Sequence, residues 1–164
     1  KEKWIEAERK ELDQIASKDT WRKVKRPKKK PISCRCVYKL KPPTTLNPEP
    51  IFKARLVAHG YKQQANVDYS STFAQVATLK AFRIMMWMSV FLGWRATQMD
   101  VKNAFLAGTL DAEIYMTAPP GYEDEIGTVL LVKSLYGLKQ APRIWYNTLI
   151  CKLHTLGFKA RAYL

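Results

Sequence analysis

The sequence predicts an α+β protein with an antiparallel sheet and helices packed on one side of it. Three observations predict this class. Apolar residues recur at helical spacing in three segments, and two segments that favour β-strands flank a proline-rich loop. Short segments that favour β-strands also lie between the later helices. The chain has 164 residues and is 47% hydrophobic, which is enough for one domain with one core.

The first half of the chain predicts a helix followed by a β-hairpin. Residues 4–16 carry a partial apolar stripe, and Glu6 and Lys10 are placed to pair one turn apart. A basic segment with strand character follows. The loop at 42–50 contains four prolines, and residues 51–58 form the returning strand of the hairpin.

The second half predicts two more helices with short strands between them. Residues 79–92 are apolar almost all round, which predicts a helix deep in the core that ends before Gly93. Strands are predicted at 94–101, 113–116 and 128–133. A last helix is predicted from Pro142 to Gly157, with Trp145 facing the helix at 79–92.

An excess of positive charge is the first indication of function. The net charge is +14, and residues 1–62 carry +11 of it. Such an excess favours a polyanion as partner, and nucleic acid over an acidic lipid surface. Residues 21–41 contain ten basic residues and no acidic one. Interleaved apolar residues favour strands here over a solvated linker, and residues 25–30 also fit a nuclear-import signal. The expected nucleic-acid contacts are Arg22, Lys23, Lys25, Arg26, Lys28, Lys29 and Lys30.

The cysteines predict no zinc site and no disulfide framework. Cys34, Cys36 and Cys151 include no pair at zinc-knuckle spacing, and both histidines are isolated. Cys34 and Cys36 are expected to share one strand face and to pack as small hydrophobes. We expect an intracellular protein, in a cytoplasmic particle or the nucleus, that is not secreted and has no membrane partner.

Three sequence blocks carry the chemistry. In the first, Asp100 ends an apolar segment before a tight turn, where a carboxylate can hold a hard cation against a phosphate. Capping of a short following helix explains this residue equally well. The other blocks are residues 52–61, Phe-Lys-Ala-Arg-Leu-Val-Ala-His-Gly-Tyr, and residues 134–145, Ser-Leu-Tyr-Gly-Leu-Lys-Gln-Ala-Pro-Arg-Ile-Trp.

In this order and spacing, the blocks resemble the reverse transcriptase of copia-type retrotransposons, the RNA-dependent DNA polymerase region of a Gag-Pol polyprotein. The likeness spans nearly the whole chain, and its most specific part is Tyr-Gly-Leu-Lys-Gln-Ala-Pro-Arg at 136–143. It implies the fingers (residues 1–78) and an incomplete palm (residues 79–164) of a right-hand polymerase. It implies nucleotidyl transfer by a two-metal mechanism, with RNA template, DNA primer, deoxynucleoside triphosphates and the rest of the polyprotein as partners. Mg²⁺, or Mn²⁺, is expected for the complete domain only.

The resemblance also assigns roles to individual residues. Asp100 matches the first metal-binding carboxylate and is the catalytic candidate. Lys53 and Arg55 look like the finger residues that hold the incoming triphosphate. Phe105 matches the aromatic ring beneath the sugar, where a ribose hydroxyl would collide with it, and a plain core role is compatible with this.

The third block supplies the remaining candidates. Gly137 and Lys139 match positions that line the nucleotide and template. Arg143 either contacts backbone phosphate or has no particular partner, and the sequence favours neither.

The chain also departs from the family pattern. Cys36 stands where a Trp is usual, His59 where a Lys is common, Asn66 where a Gly is usual and Gln75 where a Pro is usual, which suggests an element drifting without selection. The family's catalytic hairpin, an aromatic residue followed by two aspartates, is expected beyond residue 164. No other acidic residue is expected beside Asp100. The sequence therefore predicts a polymerase fragment that is inactive alone; the alternatives are a non-catalytic nucleic-acid-binding module and an inert remnant of a transposable element.

Overall fold

The computed structural model describes residues 1–45 and 48–159, and it is a mixed α/β structure with antiparallel strands. Its elements within these ranges are α1 (Glu2–Ser17), β1 (Trp21–Lys23), β2 (Cys34–Lys41), β3 (Ile51–Ala58), α2 (Leu79–Phe91), β4 (Thr109–Thr117), α3 (Glu123–Ile126), β5 (Thr128–Lys133) and α4 (Ala141–Thr155). Two short 3₁₀ helices span Gly60–Lys62 and Ala104–Ala107. None of the helices in the described residues is both long and apolar enough to cross a membrane.

The strands form two sheets, so the expectation of a single sheet is wrong, whereas the antiparallel pairing is confirmed. One sheet has the order β1-β5-β4, and the other is the β2–β3 hairpin. Ile32 joins them: its N–H donates to the Tyr115 carbonyl (2.8 Å) and its carbonyl accepts from the Thr117 N–H (2.9 Å). The single core therefore runs through both sheets.

The hairpin packs against α1 through one of its two faces. Along β3, Ala54, Leu56 and Ala58 are buried, and the residues between them are more exposed, as the two-residue period of a strand requires. Leu12 and Ile15 of α1 belong to the same core cluster as Leu56. The predicted first helix is confirmed and extends slightly beyond both expected ends.

Cys34 and Cys36 lie on this inner hairpin face, as expected, and both are free thiols. Cys34 is buried and its Sγ donates to the Thr117 carbonyl at 3.2 Å. Burial raises the pKa of Cys34 to about 12 and that of Cys36 to about 11. Both thiols therefore stay protonated and pack as small hydrophobes.

Helix α2 has the predicted position but not the predicted burial. It begins after Thr78, whose Oγ1 accepts from the Ala81 N–H at 3.1 Å, and it contains no buried residue. Trp87, for example, is 64% exposed. The expectation of a core helix is wrong for this chain because an all-round apolar helix is buried only where other elements surround it, and none does so in the described residues.

Residues 94–101 form no strand, which corrects the expectation for that segment. A strand requires a hydrogen-bonded neighbour, and no described strand pairs with these residues. Asp100 consequently lies in an exposed loop rather than at a strand end.

Helix α4 begins at Ala141 with Pro142 in its first turn, and Gly157 follows it at a φ of +88°. Its buried residues are Ala141 and Ile144, and it contacts the 3₁₀ helix Ala104–Ala107. Trp145 is only half-buried, and α2, which it was expected to face, contains no buried residue. The expected pairing of Trp145 with α2 is therefore wrong.

Candidate functional site

Lys53, Arg55 and Asp100 line one cavity of about 570 Å³, although Asp100 is far from the other two in the sequence. The cavity lies between α1, β3 and the loop at 100–103. Four other cations or carboxylates line it: Lys10, Glu11, Lys41 and Lys102. The fold thus brings together three of the residues that the sequence singled out, among a clear excess of cations.

Strand β3 positions the two cations. Lys53 and Arg55 alternate with the buried Ala54 and Leu56, so both side chains leave the inner face and both are half-buried. Burial lowers the pKa of Lys53, as do the neighbouring charges of Arg55 and Lys41, and the opposing effect of Glu11 and Asp100 is smaller. The local field around Lys53 is therefore positive, which favours an anionic ligand.

Glu11 is a carboxylate in this cavity that the sequence analysis missed, and its presence corrects the expectation that no other acid lies beside Asp100. The residue is 8% exposed, and its Oε1 accepts from the Leu56 N–H at 3.3 Å. Burial raises the pKa of Glu11 despite that hydrogen bond and the charges of Lys53 and Arg55. A signal was available: Glu11 sits on the apolar stripe of α1, one turn before Ile15.

Tyr136 connects the cavity to the core and was also missed as a site residue. Its ring meets Phe105 edge-on, with centroids 5.2 Å apart and planes at 82°. The guanidinium of Arg55 lies 5.9 Å over the same ring. Phe105 itself packs against the core cluster, which confirms the core role and leaves the contact with a sugar as a prediction.

The loop that carries Asp100 is anchored to α1. Asn103 adopts a left-handed conformation (φ 54°, ψ 41°), and its Nδ2 donates to Gln14 Oε1 at 2.9 Å. This contact holds the loop, which lines the cavity, against α1. Asparagine tolerates this conformation better than most residues.

Gly137 and Lys139 follow Tyr136 in the sequence and do not line this cavity. Gly137 has a φ of +90°, and a Cβ there would come within 2.2 Å of the Ala58 carbonyl oxygen. Lys139 Nζ donates to the Tyr69 hydroxyl at 3.0 Å and lies 4.9 Å over that ring. The structure therefore gives both residues contacts within the chain.

A pair of buried amides holds this third block against the segment that follows β3. Gln63 Nε2 donates to Gln140 Oε1 at 3.0 Å, and Gln140 Nε2 donates to the Asp68 carbonyl at 2.8 Å. Gln63 Oε1 also accepts from the Lys139 N–H at 2.9 Å. Both side chains are buried, so the satisfied pair fixes the relative position of the two segments.

Arg143 has partners inside the chain, which the sequence did not indicate. Its side chain forms an ion pair with Asp111, and its Nε donates to the Ser71 carbonyl at 2.9 Å. These contacts link α4 to β4 and to the segment before α2. Its proposed contact with backbone phosphate stays a prediction.

The basic run at 22–30 is exposed, and its predicted residues have different surroundings. Lys28 forms an exposed ion pair with Glu113 at 3.4 Å, and Lys23 donates to the Glu125 carbonyl. Lys29 and Lys30 line a second cavity of about 440 Å³. Arg22, Lys25 and Arg26 are exposed side chains with no ion pair to a described carboxylate.

A sequence model described as reverse transcriptase (RNA-dependent DNA polymerase) matches residues 18–163. The chain belongs to this reverse transcriptase family. The retrovirus-related Pol polyproteins from transposons RE1 and RE2 of Arabidopsis thaliana are 40% and 39% identical to it, each over 96% of this chain and 11% of the relative. The Pol polyprotein from transposon TNT 1-94 of Nicotiana tabacum is 37% identical over 89% of this chain and 11% of the relative.

The resemblance to copia-type retrotransposon reverse transcriptases is thereby confirmed. This reverse transcriptase chain spans about a ninth of the length of the curated relatives that it matches. No solved structure matches it.

The donor set of this reverse transcriptase chain does not fit two divalent cations. Within the described residues there is no group of three or more His, Cys, Asp or Glu side chains that could hold a metal. The cavity offers Asp100 and Glu11, and Glu11 already accepts a backbone hydrogen bond. A two-metal site needs carboxylates on both sides of the ion pair, so further ligands would have to come from elsewhere.

Proposed function

We propose that this chain forms the fingers and the first part of the palm of a retrotransposon RNA-directed DNA polymerase, and that the Asp100 cavity receives the triphosphate of the incoming deoxynucleotide. The observation that carries the proposal is the convergence of Lys53, Arg55 and Asp100 on one cavity. These are the residues that the family resemblance assigns to the triphosphate and to the metal.

The electrostatics of the cavity support an anionic ligand. Five basic side chains line it against two carboxylates. Burial, and after it the like charges of Arg55 and Lys41, lower the pKa of Lys53, and a bound triphosphate would relieve the repulsion among these charges. An arginine fork and a lysine point charge together suit a phosphate chain.

Asp100 would contribute one ligand to Mg²⁺ or Mn²⁺ in a complete domain. It lines the same cavity as Lys53 and Arg55, which is compatible with this role. Among the described residues, Glu11 is the only other carboxylate that lines the cavity, and we expect the remaining metal ligands in the aspartate pair that the family carries further along the polyprotein.

Phe105 and the third block would surround the base and sugar. The ring of Phe105 contacts that of Tyr136, and Tyr136 lines the cavity, so Tyr136 would connect Phe105 to the proposed nucleotide site. Gly137 and Lys139 continue from Tyr136 and would position the template side. Their contacts with Ala58 and Tyr69 would hold them in place for that role.

The division into fingers (1–78) and incomplete palm (79–164) rests on the family resemblance, because one core runs through both parts and β1 pairs with β5 across the division. The hairpin and α1 share a core, whereas α2 exposes large apolar side chains such as Phe82, Trp87 and Phe91. We propose that further palm elements of the longer polyprotein cover α2, since exposed apolar surface on this scale marks an interface.

A second candidate function is nucleic-acid binding without catalysis. The observation in its favour is the exposed basic run at 22–30, which needs no metal or triphosphate to attract a polyanion. The two candidates make different predictions about Asp100, because a binding module does not need that carboxylate.

A first experiment measures binding of a fluorescent deoxynucleoside triphosphate analogue to the 164-residue chain. Lys53→Ala and Arg55→Ala should each weaken binding about 10-fold or more, as expected for a charge-assisted contact. Lys152→Ala, which removes an exposed charge from α4, is the matched control and should bind like the wild type. Unchanged binding in both site variants would contradict the cavity assignment.

A second experiment tests catalysis in a longer polyprotein that includes the aspartate pair. Primer extension on an RNA template should be lost in Asp100→Asn, which keeps the size of the side chain and removes its charge. Lys152→Ala again serves as the control. Full extension by the Asp100→Asn polyprotein would overturn the role of Asp100 and favour the non-catalytic module.

A further inference from the structure

We propose that residues 25–31, here called the basic arch, are a nuclear-import signal whose partner is the acidic groove of an import adaptor protein. The sequence of residues 25–30, Lys-Arg-Pro-Lys-Lys-Lys, fits such a signal, as it also fits a nucleic-acid contact. The structure adds how the segment is anchored, how far it is exposed and which of its side chains are free. The proposal goes beyond the polymerase function and does not depend on it.

Both ends of the basic arch are fixed to the three-stranded sheet. The Val24 N–H donates to the Thr128 carbonyl in β5 at 2.8 Å, and Ile32 is hydrogen-bonded to Tyr115 and Thr117 in β4. Because β5 and β4 are neighbours in the sheet, Val24 and Ile32 are three strand spacings apart, or roughly 14 Å. The intervening chain can reach roughly 27 Å, about twice that distance, so the arch has the length to stand away from the sheet.

The backbone of the basic arch is free to bind a partner. Residues 25–31 belong to no helix or strand, and no backbone–backbone hydrogen bond in the described part of the chain involves them. Pro27 and Pro31 bias the residues before them, Arg26 and Lys30, toward extended backbone. An extended segment with unpaired N–H and C=O groups can form main-chain hydrogen bonds to a groove while its side chains enter pockets.

The cations of the basic arch are also available. All five at 25–30 are exposed, and Lys25 and Arg26 make no ion pair with a described carboxylate. Lys28 pairs with Glu113 at 3.4 Å, but the two side chains are 75% and 49% exposed, and such a pair contributes little. Lys29 donates to a backbone carbonyl at 3.3 Å. Carboxylates of a partner can therefore replace these contacts.

The unbroken run of cations favours a groove over a strand of nucleic acid. Successive side chains of an extended segment point to opposite sides, so Lys28, Lys29 and Lys30 cannot all face one row of phosphates. A groove with carboxylates on both walls meets both sets of side chains. We therefore assign the arch to an acidic protein partner.

The first test measures binding of the labelled 164-residue chain to a purified nuclear-import adaptor by fluorescence anisotropy. The double variant Lys25→Ala with Arg26→Ala should weaken binding about 100-fold or more, because two charge-assisted contacts are lost. Lys25→Arg with Arg26→Lys keeps both charges and should bind like the wild type. Lys152→Ala with Lys159→Ala removes the same net charge from exposed positions outside the arch and should also bind like the wild type.

The second test follows nuclear import in permeabilised cells. The chain is fused to fluorescent proteins, so that it is too large to diffuse through nuclear pores. The fusion should accumulate in the nucleus only when cytosol and an energy source are added, and an excess of free peptide with the sequence of residues 24–31 should prevent this. The Lys25→Ala, Arg26→Ala fusion should stay outside the nucleus, and the Lys152→Ala, Lys159→Ala fusion should enter it.

Unchanged adaptor binding in the Lys25→Ala, Arg26→Ala variant would overturn the proposal. Nuclear accumulation that needs neither cytosol nor energy, and that nuclease treatment removes, would assign the basic arch to nucleic acid and would overturn it as well. The proposed polymerase fails on a different result, full primer extension by the Asp100→Asn polyprotein.

Discussion

Gly137 shows how a single residue can be required by packing at a position that the family resemblance assigns to ligand binding. Its φ is +90°, and its backbone crosses that of Ala58 so closely that no side chain fits. Gly60, across the same junction, would place a Cβ 2.0 Å from the Gly137 carbonyl oxygen. Glycine at both positions allows the third block to pack directly on the end of β3.

Gly137→Ala should therefore lower the free energy of unfolding by more than Gly157→Ala. Gly157 has nearly the same φ, +88°, but nothing lies within 4 Å of its would-be Cβ, so the control isolates the clash from the backbone strain. The difference should be about 1–3 kcal/mol, as for overpacked positions. Urea denaturation of both variants measures this difference. Equal decreases in the free energy of unfolding would show that the clash at residue 137 adds nothing to the backbone strain.

Glu11 should make stability depend on pH in a direction opposite to that of most carboxylates. Burial raises its pKa in the folded chain, so the fold favours the protonated form, and this contribution is lost as the pH rises through the raised pKa. Glu11→Gln keeps an oxygen for the Leu56 N–H and removes the charge. The variant should be more stable than the wild type at neutral pH. This difference in the free energy of unfolding should disappear as the pH falls below the ordinary carboxyl range.

The measurement is a comparison of denaturation midpoints of wild type and Glu11→Gln across that pH range. Asp13→Asn is a suitable control, because Asp13 is an exposed residue on the same helix. A gap that widened at acid pH would mean that the attraction of Lys53 and Arg55 outweighs the burial of Glu11.

At the scale of elements, the hairpin carries an arrangement that opposes its own stability. Lys39 and Lys53 are directly opposed on the exposed face. Lys39→Thr removes the repulsion and introduces a good strand former, so the free energy of unfolding should rise by about 0.2–1 kcal/mol. Thermal unfolding at low salt measures it, and a gain that vanishes at high salt would identify the repulsion as its source. A loss of stability at every salt concentration would contradict this account.

Helix α4 contributes to the core through a different residue from the one its sequence suggested. Ile144 is buried against the Gly108 turn, whereas Trp145 is half-buried. Ile144→Ala should lower the free energy of unfolding by about 2–4 kcal/mol, and Trp145→Ala should lower it by less although the tryptophan side chain is larger. Chemical denaturation of the two variants decides the order, and the reverse order would mean that Trp145 is covered in solution.

At the scale of the whole molecule, the distribution of carboxylates sets the catalytic expectation. We expect no primer extension by the 164-residue chain with Mg²⁺ or with Mn²⁺. Asp100 and Glu11 are the carboxylates lining the cavity, and five basic side chains oppose the binding of a second cation there. Incorporation of labelled deoxynucleotide by the isolated chain would contradict this expectation.

Local pattern was sufficient for much of the fold and for the family. The returning strand at 51–58, the strand at 128–133 and the helix that ends before Gly93 were predicted close to their observed bounds, because strand and helix periods and their end signals act within a few residues. The order of the three blocks identified the reverse transcriptase family, since such motifs are read along the chain without any contact.

The tertiary structure alone decided what surrounds each element. Helix α2 is exposed and residues 94–101 form no strand because no described segment packs or pairs with them. The place of Glu11 in the same cavity as Asp100 likewise depends on the packing of distant segments. The ion pair of Arg143 with Asp111 and the opposition of Lys39 to Lys53 depend on register and on chain crossings. A sequence pattern determines the shape and polarity of a surface. The free energy of packing arises only where two surfaces meet, and the tertiary structure determines which two surfaces do so.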